Sequence, residues 1–243
     1  MHLLLLSLST LVPALLVLWV FYRRDLHPEP RAVVLQTFFR GIVAVIPSCV
    51  VALGPYLAIQ AWVSNPWLFG ALYAFFGAAL PEECFKYWVL TAYSVRQPGF
   101  NEPMDGVVYG TAASLGFAAA ENLMYSVPAT WGVVLFRTFT ALPAHACFGA
   151  LMGYYVGQAR CNPQWPFPPR RGAAVAIVLH SLYDFPFLSL QKLQTQWPNG
   201  AETHTQVVWA LVCLGAAMVV NLASVAWTIH LVRNLRREQE KTV

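Results

Sequence analysis

The chain has 243 residues, of which 58% are hydrophobic and only 11% charged, with a net charge of +4. An average soluble domain carries about 25% charged residues, so this composition excludes a water-facing globule and predicts a polytopic membrane protein. The basic residues lie in short loops and not on one face, which argues against nucleic acid as a partner. The five cysteines have no CxxC spacing, so we expect neither a disulfide framework nor a thiolate metal site.

Seven apolar stretches have the length needed to cross a bilayer, since about 20 apolar residues span its core. The first has no basic residue at its start and no small-residue cleavage site, which favours a retained span over a cleaved signal peptide. Short loops rich in Pro, Gly and Asn separate the stretches. The sequence therefore predicts an all-α fold, a single transmembrane domain over residues 1–243. The predicted spans are roughly 1–22, 32–54, 66–94, 105–127, 131–158, 171–190 and 206–232.

The lysines and arginines predict the orientation of this bundle, because basic residues accumulate in cytoplasmic loops. With the N-terminus outside, the outer loops contain only Lys192. We therefore predict an outside N-terminus and a cytoplasmic C-terminus. The residues that then face the cytoplasm are Arg23, Arg24, Arg31, Arg40, Arg96, Arg160, Arg170, Arg171, Arg233, Arg236, Arg237 and Lys241.

The third span contains two adjacent glutamates, Glu82 and Glu83, followed by Lys86. Ionisable groups inside a bilayer cost about 2.5–3.5 kcal/mol each even on lenient scales, which makes them functional candidates. Lys86 lies three and four residues after the glutamates, so it can neutralise one of them. Adjacent helical residues point about 100° apart, so we expect Glu82 and Glu83 to have different roles.

Three later spans contain further ionisable groups: Glu121 in the fourth, Arg137 and His145 in the fifth, and His180 with Asp184 in the sixth. His180 and Asp184 are four residues apart on one helical face, so the aspartate can orient the imidazole or act as a ligand itself. Gly116 and three alanines beside Glu121 leave room for a neighbouring helix. We interpret Arg137 as structural, either paired with an acidic group or extended towards the membrane surface.

These side chains suit hydrolysis. Imidazole and carboxylate are ordinary zinc ligands, and a remaining glutamate can act as general base on a water molecule. No histidine pair has the HExxH spacing of soluble zinc proteases. A metal-free glutamate mechanism, with His145 and His180 stabilising an oxyanion, stays open beside a zinc mechanism.

An ordered set of motifs over residues 20–190 resembles the PrsW family of intramembrane proteases, which are related to the CAAX-prenyl endopeptidases and the bacteriocin-immunity proteins. The motifs are residues 25–30 (DLHPEP), 82–86 (EECFK), 102–106 (EPMDG), Tyr109 with Gly110, 117–121 (FAAAE), His145, and 180–184 (HSLYD).

The resemblance implies site-specific cleavage of a single-span membrane protein, typically an anti-sigma factor whose loss releases a stress response, in a multi-pass protein of the bacterial plasma membrane. By position, Glu82 and Glu83 would supply the base, with His145 and His180 at the catalytic centre. The implied metal ligands are Glu83, Glu121, His145, His180 and Asp184, and the implied supporting residues are Lys86, Phe117 and Asn122.

The predicted depths of these residues do not agree. At about 1.5 Å per residue, Glu82 and His145 lie at similar depth, whereas Glu121 lies nearer the outer face by about 10 Å in a core of about 30 Å. The offset closes only if the fourth span begins below the membrane, or if the third and fifth begin above it. A proton-coupled transporter and a non-catalytic membrane scaffold are the competing hypotheses, although the chain lacks the internal repeat of many transporters.

Overall fold

The computed structural model describes residues 2–126, 131–197 and 203–241, and within these ranges every regular element is a helix. The ends of two predicted spans, residues 1 and 127, lie outside the described residues. The elements are α1 (His2–Tyr22), α2 (Arg31–Trp62), α3 (Pro66–Leu72), a π-helix (Tyr73–Ala79), α4 (Leu80–Ala92), a short 3-10 turn (Ser94–Arg96), α5 (Pro103–Ser126), α6 (Trp131–Phe139), α7 (Ala141–Cys161), α8 (Arg170–Gln194) and α9 (Thr203–Gln239).

These elements form seven rods, because α3 runs through the π-helix into α4, and α6 runs into α7. Five rods are long and apolar enough to cross a membrane: residues 31–62, 66–96, 131–161, 170–194 and 204–239. Leu6–Tyr22 is a shorter apolar helix. The predicted all-α bundle of a multi-pass membrane protein is confirmed, while its orientation stays a prediction.

Four predicted spans end later in the structure. Helix α2 continues through Gly54 and Pro55 to Trp62, α7 to Cys161, α8 to Gln194 and α9 to Gln239. The turn residues at 54–55 do not end α2, because backbone groups in a membrane must bond within their own helix.

The fifth predicted span is divided at Thr140 into α6 and α7. Pro143 has no N–H for the carbonyl of Phe139, which lies four residues earlier. The Asn221 side chain of α9 donates a hydrogen bond to the neighbouring carbonyl of Thr140 at 2.9 Å. The break therefore lies between the arginine and the histidine of this span.

Helix α5 lies at the centre of the bundle and packs against α7, α2 and α1. Its contact with α7 is made by glycines on both helices. A Cβ atom added at Gly110 would lie 2.2 Å from the carbonyl oxygen of Gly149, and one added at Gly153 would lie 1.9 Å from that of Gly106. Small residues of this kind let membrane helices approach backbone to backbone. On the α2 side, a Cβ at Gly116 would lie 1.9 Å from the carbonyl oxygen of Phe38.

The rod that carries the adjacent glutamates changes its winding just before them. Asn65 caps α3 by accepting hydrogen bonds from the backbone N–H groups of Trp67 and Leu68. The π-helix then widens the turn, so that the N–H of Leu80 bonds to the carbonyl of Phe75, five residues back. Single π turns of this kind are frequent at functional sites. Here the wider turn sets the direction in which α4 presents its first carboxylates.

Candidate active site

Four helices bring their ionisable side chains together in the interior of the bundle. The residues are Glu82, Glu83 and Lys86 from α4, Glu121 from α5, His145 from α7, and His180 and Asp184 from α8. Arg137 of α6 joins them through Glu121. The ionisable groups that the sequence singled out therefore form one connected network.

Glu83 is the most enclosed member, with 0% of its side chain exposed. Its Oε1 accepts hydrogen bonds from Lys86 Nζ at 2.6 Å and from His180 Nδ1 at 2.8 Å. Its Oε2 is buried without a hydrogen-bond partner. Glu83 therefore links α4 to α8 and keeps one oxygen available inside the site.

Lys86 is almost fully buried and lies between the two glutamates and a histidine. Besides Glu83, its Nζ lies 3.4 Å from Glu82 Oε2 and 3.0 Å from His145 Nδ1. The same atom lies 4.3 Å from the centre of the Phe117 ring, where a cation is attracted to the aromatic face. Phe117, predicted as a supporting residue, thus contacts the lysine and not a carboxylate.

His145 is held from both ring nitrogens. Nδ1 faces Lys86 and Nε2 lies 3.1 Å from Glu121 Oε2. Because an ammonium only donates, Nδ1 accepts and the proton of a neutral ring lies on Nε2, towards the carboxylate. Glu121 is itself fixed by Arg137, whose Nη2 lies 2.9 Å from its Oε1.

Arg137 completes this side of the site. Its Nε donates to the Asn122 side-chain oxygen at 2.7 Å, and its guanidinium lies 4.0 Å from the centre of the Tyr125 ring. Of the two predicted roles for Arg137, the structure therefore shows the ion pair, and its acidic partner is Glu121. Asn122, predicted as a supporting residue, acts by orienting the arginine.

His180 lies between two carboxylates, with Nδ1 on Glu83 and Nε2 3.2 Å from Asp184 Oδ2. Its ring stacks on Phe148 at 5.5 Å between ring centres and meets His145 edge to face at 5.0 Å. The i, i+4 spacing of the histidine and the aspartate gives the predicted orienting contact.

Glu82, Glu83, His145 and His180 each present a ligand atom within 4.8 Å of the others. This group differs from the predicted ligands. Glu82 is included, whereas Glu121 and Asp184 each contact the outer nitrogen of one histidine instead. Glu121 and Asp184 are not in this group because each lies beside the Nε2 atom of a histidine, on the side of the ring that points away from the other three ligand residues.

The residues fit a divalent metal ion in their donor chemistry. Carboxylate and imidazole are zinc ligands, and the buried Oε2 of Glu83 has no hydrogen-bond partner. With both histidines neutral, the four carboxylates of the network exceed Lys86 and Arg137 by two charges, 4 − 2. Lys86 is the group with which an ion would compete, because it already contacts three of the four candidate ligands.

A cavity of about 440 Å³ adjoins this network. Glu82 and Glu121 are among the residues that line it, whereas Glu83 is not. Its walls come from α2, the π-helix and α5, and the small residues among them are Ser48, Cys49, Ala52, Gly77 and Ala78. The adjacent glutamates therefore have different surroundings, one at a cavity and one enclosed.

The expected offset in depth is wrong. Glu121 contacts His145 directly, so the fourth and fifth spans bring these residues to one level. Helix α5 begins at Pro103, two residues before the predicted start, and α7 begins only at Ala141 after the break at Thr140. The heights of Glu121 and His145 estimated from the predicted span ends were wrong because the two helices begin at other residues than predicted.

The sequence did not predict that Arg137 belongs to the candidate active site, nor did it identify the cavity residues on α2. No spacing rule links Arg137 to Glu121, because the two lie on different helices. The apolar wall of the cavity, including Val45 and Cys49, has no pattern that distinguishes it from a lipid-facing surface. The available signal was an arginine inside a membrane span, where a basic side chain needs an acidic partner on a neighbouring helix.

Fold and site together define a multi-pass membrane protein with a buried carboxylate–histidine centre of the type used by hydrolytic metalloenzymes. Residues 29–219 match the family described as PrsW family intramembrane metalloprotease. The chain therefore belongs to this family, and it is an intramembrane protease.

Several relatives support this assignment, each named Protease PrsW. The protein from Geobacillus kaustophilus is 31% identical over 186 residues, 74% of this chain and 78% of the relative. Those from Oceanobacillus iheyensis and Bacillus subtilis are each 30% identical, over 181 and 183 residues, 72% of this chain and 79% of each relative. No solved structure matches the chain.

Proposed function

We propose that Glu82 is the general base of this protease. The observation that carries the proposal is the difference between the two glutamates. Glu82 lines the cavity and has 14% of its side chain exposed, whereas Glu83 is fully enclosed by Lys86 and His180. A general base must reach the water molecule whose proton it removes. Only the first glutamate meets this requirement.

Glu83, His145 and His180 would hold a zinc ion, and Glu82 lies within reach of the same point. When bound, zinc would supply a Lewis acid that polarises the scissile carbonyl. The ordinary zinc ligand set of imidazole and carboxylate supports this choice of metal. In a metal-free alternative, the two histidines would instead stabilise the oxyanion, which requires their N–H groups to turn away from the carboxylates of Glu121, Glu83 and Asp184 that they face here.

The protein residues move the protons. Glu82 takes a proton from the attacking water and later delivers it to the leaving amide nitrogen. Lys86 Nζ lies between the glutamates, at 2.6 Å from Glu83 and 3.4 Å from Glu82. It can therefore stabilise the carboxylate form of Glu82, before it accepts the proton from water and again after it has delivered that proton to the leaving nitrogen. Arg137 holds Glu121 in contact with His145, which fixes the ring position.

The substrate would be a single-span membrane protein, and an anti-sigma factor is the class that the family resemblance implies. The cavity supports a substrate that enters sideways between helices, because three of its apolar lining side chains, Leu53, Met124 and Tyr125, are exposed. A helical segment keeps its carbonyls in hydrogen bonds, so the segment to be cut must unwind first. The small residues on the cavity wall, at positions 48, 49, 52, 77 and 78, leave room for a substrate segment to lie extended with its backbone close to the protease.

The test is cleavage of a purified single-span substrate by the protease in liposomes, with products identified by mass spectrometry. We expect Glu82→Gln to lower the rate by at least about 10²-fold. The matched control is Glu240→Gln, an exposed carboxylate at the end of α9, which should cut at the wild-type rate. Cleavage by Glu82→Gln at the wild-type rate would show that another group is the base.

Metal content is measured on the same preparations. One zinc per chain, together with activity lost to a chelator and restored by zinc, supports the metal mechanism. Wild-type activity without a stoichiometric metal selects the metal-free alternative and leaves the role of Glu82 intact.

A further inference from the structure

A second group of carboxylates lies at the other end of α5, far from the candidate active site. Asp25, Glu102 and Asp105 each present an oxygen within 4.8 Å of the others, and we call these three residues the second carboxylate cluster. Asp105 and Glu121 are 16 residues apart on α5, which corresponds to roughly 24 Å along the helix axis. The cluster is therefore separate from the catalytic centre.

Two members of this cluster are buried and have oxygens without partners. Asp25 is 6% exposed and its Oδ2 makes no hydrogen bond, and Asp105 is 1% exposed and its Oδ1 makes none. The other oxygens of the two side chains are bonded. Asp105 Oδ2 accepts from the backbone N–H groups of Asn101 and Glu102, and Asp25 Oδ1 accepts from His27 N–H and Gln239 Nε2. Two buried, unpaired carboxylate oxygens in one cluster indicate a missing electropositive partner.

The neighbouring charges do not supply that partner. Within residues 2–126, 131–197 and 203–241, no lysine or arginine nitrogen lies within 4.0 Å of these carboxylates, and the nearest basic group is His27, at 3.4 Å from Glu102. Glu29 adds a fourth acidic group nearby, and its Oε2 accepts the hydroxyl hydrogen of Tyr109 at 2.7 Å. Buried carboxylates without a counter-charge are strongly unfavourable.

We propose that the second carboxylate cluster binds one hard divalent cation, of the magnesium or calcium class. All the charged ligands are carboxylate oxygens, the donors that these ions select over nitrogen or sulfur. The cation would join three distant parts of the chain: the α1–α2 loop through Asp25, the start of α5 through Glu102 and Asp105, and the end of α9. The last contact runs through Gln239, whose Nε2 lies 2.7 Å from Asp25 Oδ1 and 2.5 Å from Glu102 Oε1.

This site would act as a clamp on the C-terminal helix and is independent of the proposed catalytic roles. Glu102 and Asp25 both contact Gln239, so fixing the two carboxylates also fixes the last turn of α9. Without the ion, repulsion between the carboxylates would loosen that contact. Release of the α9 end is therefore a readout that does not depend on peptide cleavage.

The binding test uses the full-length protein in detergent and Mn²⁺ as a paramagnetic substitute for magnesium, counted by electron paramagnetic resonance. Wild type should bind one more Mn²⁺ per chain than Asp25→Asn or Glu102→Gln, and Mg²⁺ or Ca²⁺ should displace that ion while K⁺ should not. Any Mn²⁺ bound at the catalytic centre is common to all variants and cancels. We expect each substitution to weaken binding at least about tenfold, because affinity follows ligand charge.

The matched control is Glu238→Gln, which also removes one negative charge, at an exposed position of α9 next to Gln239. It should bind Mn²⁺ like wild type. Equal ion counts in wild type, Asp25→Asn and Glu102→Gln would overturn the proposal, and so would a wild-type protein in which K⁺ displaces the ion as well as Mg²⁺. Protonated carboxyls without an ion would then explain the cluster.

A second measurement remains decisive if one variant folds poorly. Trypsin cleavage after Arg237 requires the last turn of α9 to open, and opening is slower when that turn is held. Mn²⁺ should slow this cleavage several-fold in wild type and leave the rate in Glu102→Gln unchanged. An equal effect of Mn²⁺ on both proteins would refute the clamp.

Discussion

The two adjacent glutamates should respond very differently to the same substitution. Glu83→Gln removes the carboxylate that Lys86 contacts at 2.6 Å, in a place where neither side chain is more than 1% exposed. Breaking a buried pair from one side leaves the other charge uncompensated and costs about 3–5 kcal/mol. Glu82→Gln removes a longer contact of 3.4 Å at the edge of a cavity, so we expect a loss of only about 1 kcal/mol.

The assay is thermal unfolding of both variants in detergent beside the cleavage assay. At about 2–4 °C per kcal/mol for a chain of this size, Glu83→Gln should melt roughly 10 °C below wild type, and Glu82→Gln within a few degrees of it. Both variants should cleave substrate poorly, for different reasons: Glu82→Gln has lost its base, and Glu83→Gln has lost the support of Lys86 and His180.

A double variant provides the internal control. Removing both charges in Glu83→Gln with Lys86→Met should restore most of the lost stability, because the fully buried pair is then removed from both sides and Glu82 loses only its longer contact at the cavity edge, while activity stays low. Equal melting temperatures for the two single variants would refute the distinction between them. A double variant less stable than Glu83→Gln alone would show that Lys86 is stabilised by Glu82 and His145 and not by Glu83.

Three further predictions concern other parts of the site and its scaffold. Gly149→Val should destabilise the protein by about 1–3 kcal/mol, because its Cβ would lie 2.4 Å from the Gly110 carbonyl oxygen. The control is Gly215→Ala, which has open space around it and should melt at or above the wild-type temperature. Arg137→Gln should lower kcat at least about tenfold by releasing Glu121, and Arg137→Lys should recover only part, since lysine lacks the planar fork. If Glu83, His145 and His180 hold a metal as proposed, a chelator should lower the melting temperature of wild type and of Glu102→Gln alike, and a chelator without effect on unfolding would refute a metal at this centre.

The sequence predicts the class and the helices of this protein well, because the relevant forces are local. The length of an apolar stretch, the composition of a loop and the presence of an ionisable residue within a span can each be read from one segment. Together they predict the all-α bundle and the ionisable side chains inside it. The GxxxG-like spacing of Gly149, Gly153 and Gly157 also lies within one helix and is readable, although its partner at Gly106 and Gly110 is not.

The site could be predicted only where partners share a helix. Glu83 with Lys86 and His180 with Asp184 are i, i+3 and i, i+4 pairs, and both occur as the spacing indicates. The contact of Glu121 with His145 joins two helices whose relative height depends on where each one begins. The loop lengths and the break at Thr140 determine that relative height. Neither can be predicted from the hydrophobic periodicity of the sequence.

The glycine contacts have a consequence for the rate of the enzyme. Helix α5 is held backbone to backbone against α7, and against α2 at Gly41 and Gly116. At these contacts the helices that carry Glu121 and His145 have no room to shift against each other, although the Glu121 side chain itself lines the cavity. Admission of a substrate therefore falls to the far half of α2, which contains Pro47, Pro55 and the uncrowded Gly54. We expect the pivoting of this half-helix, and not bond cleavage, to limit turnover, so that a thinner or more fluid bilayer speeds the protease without any change in its active site.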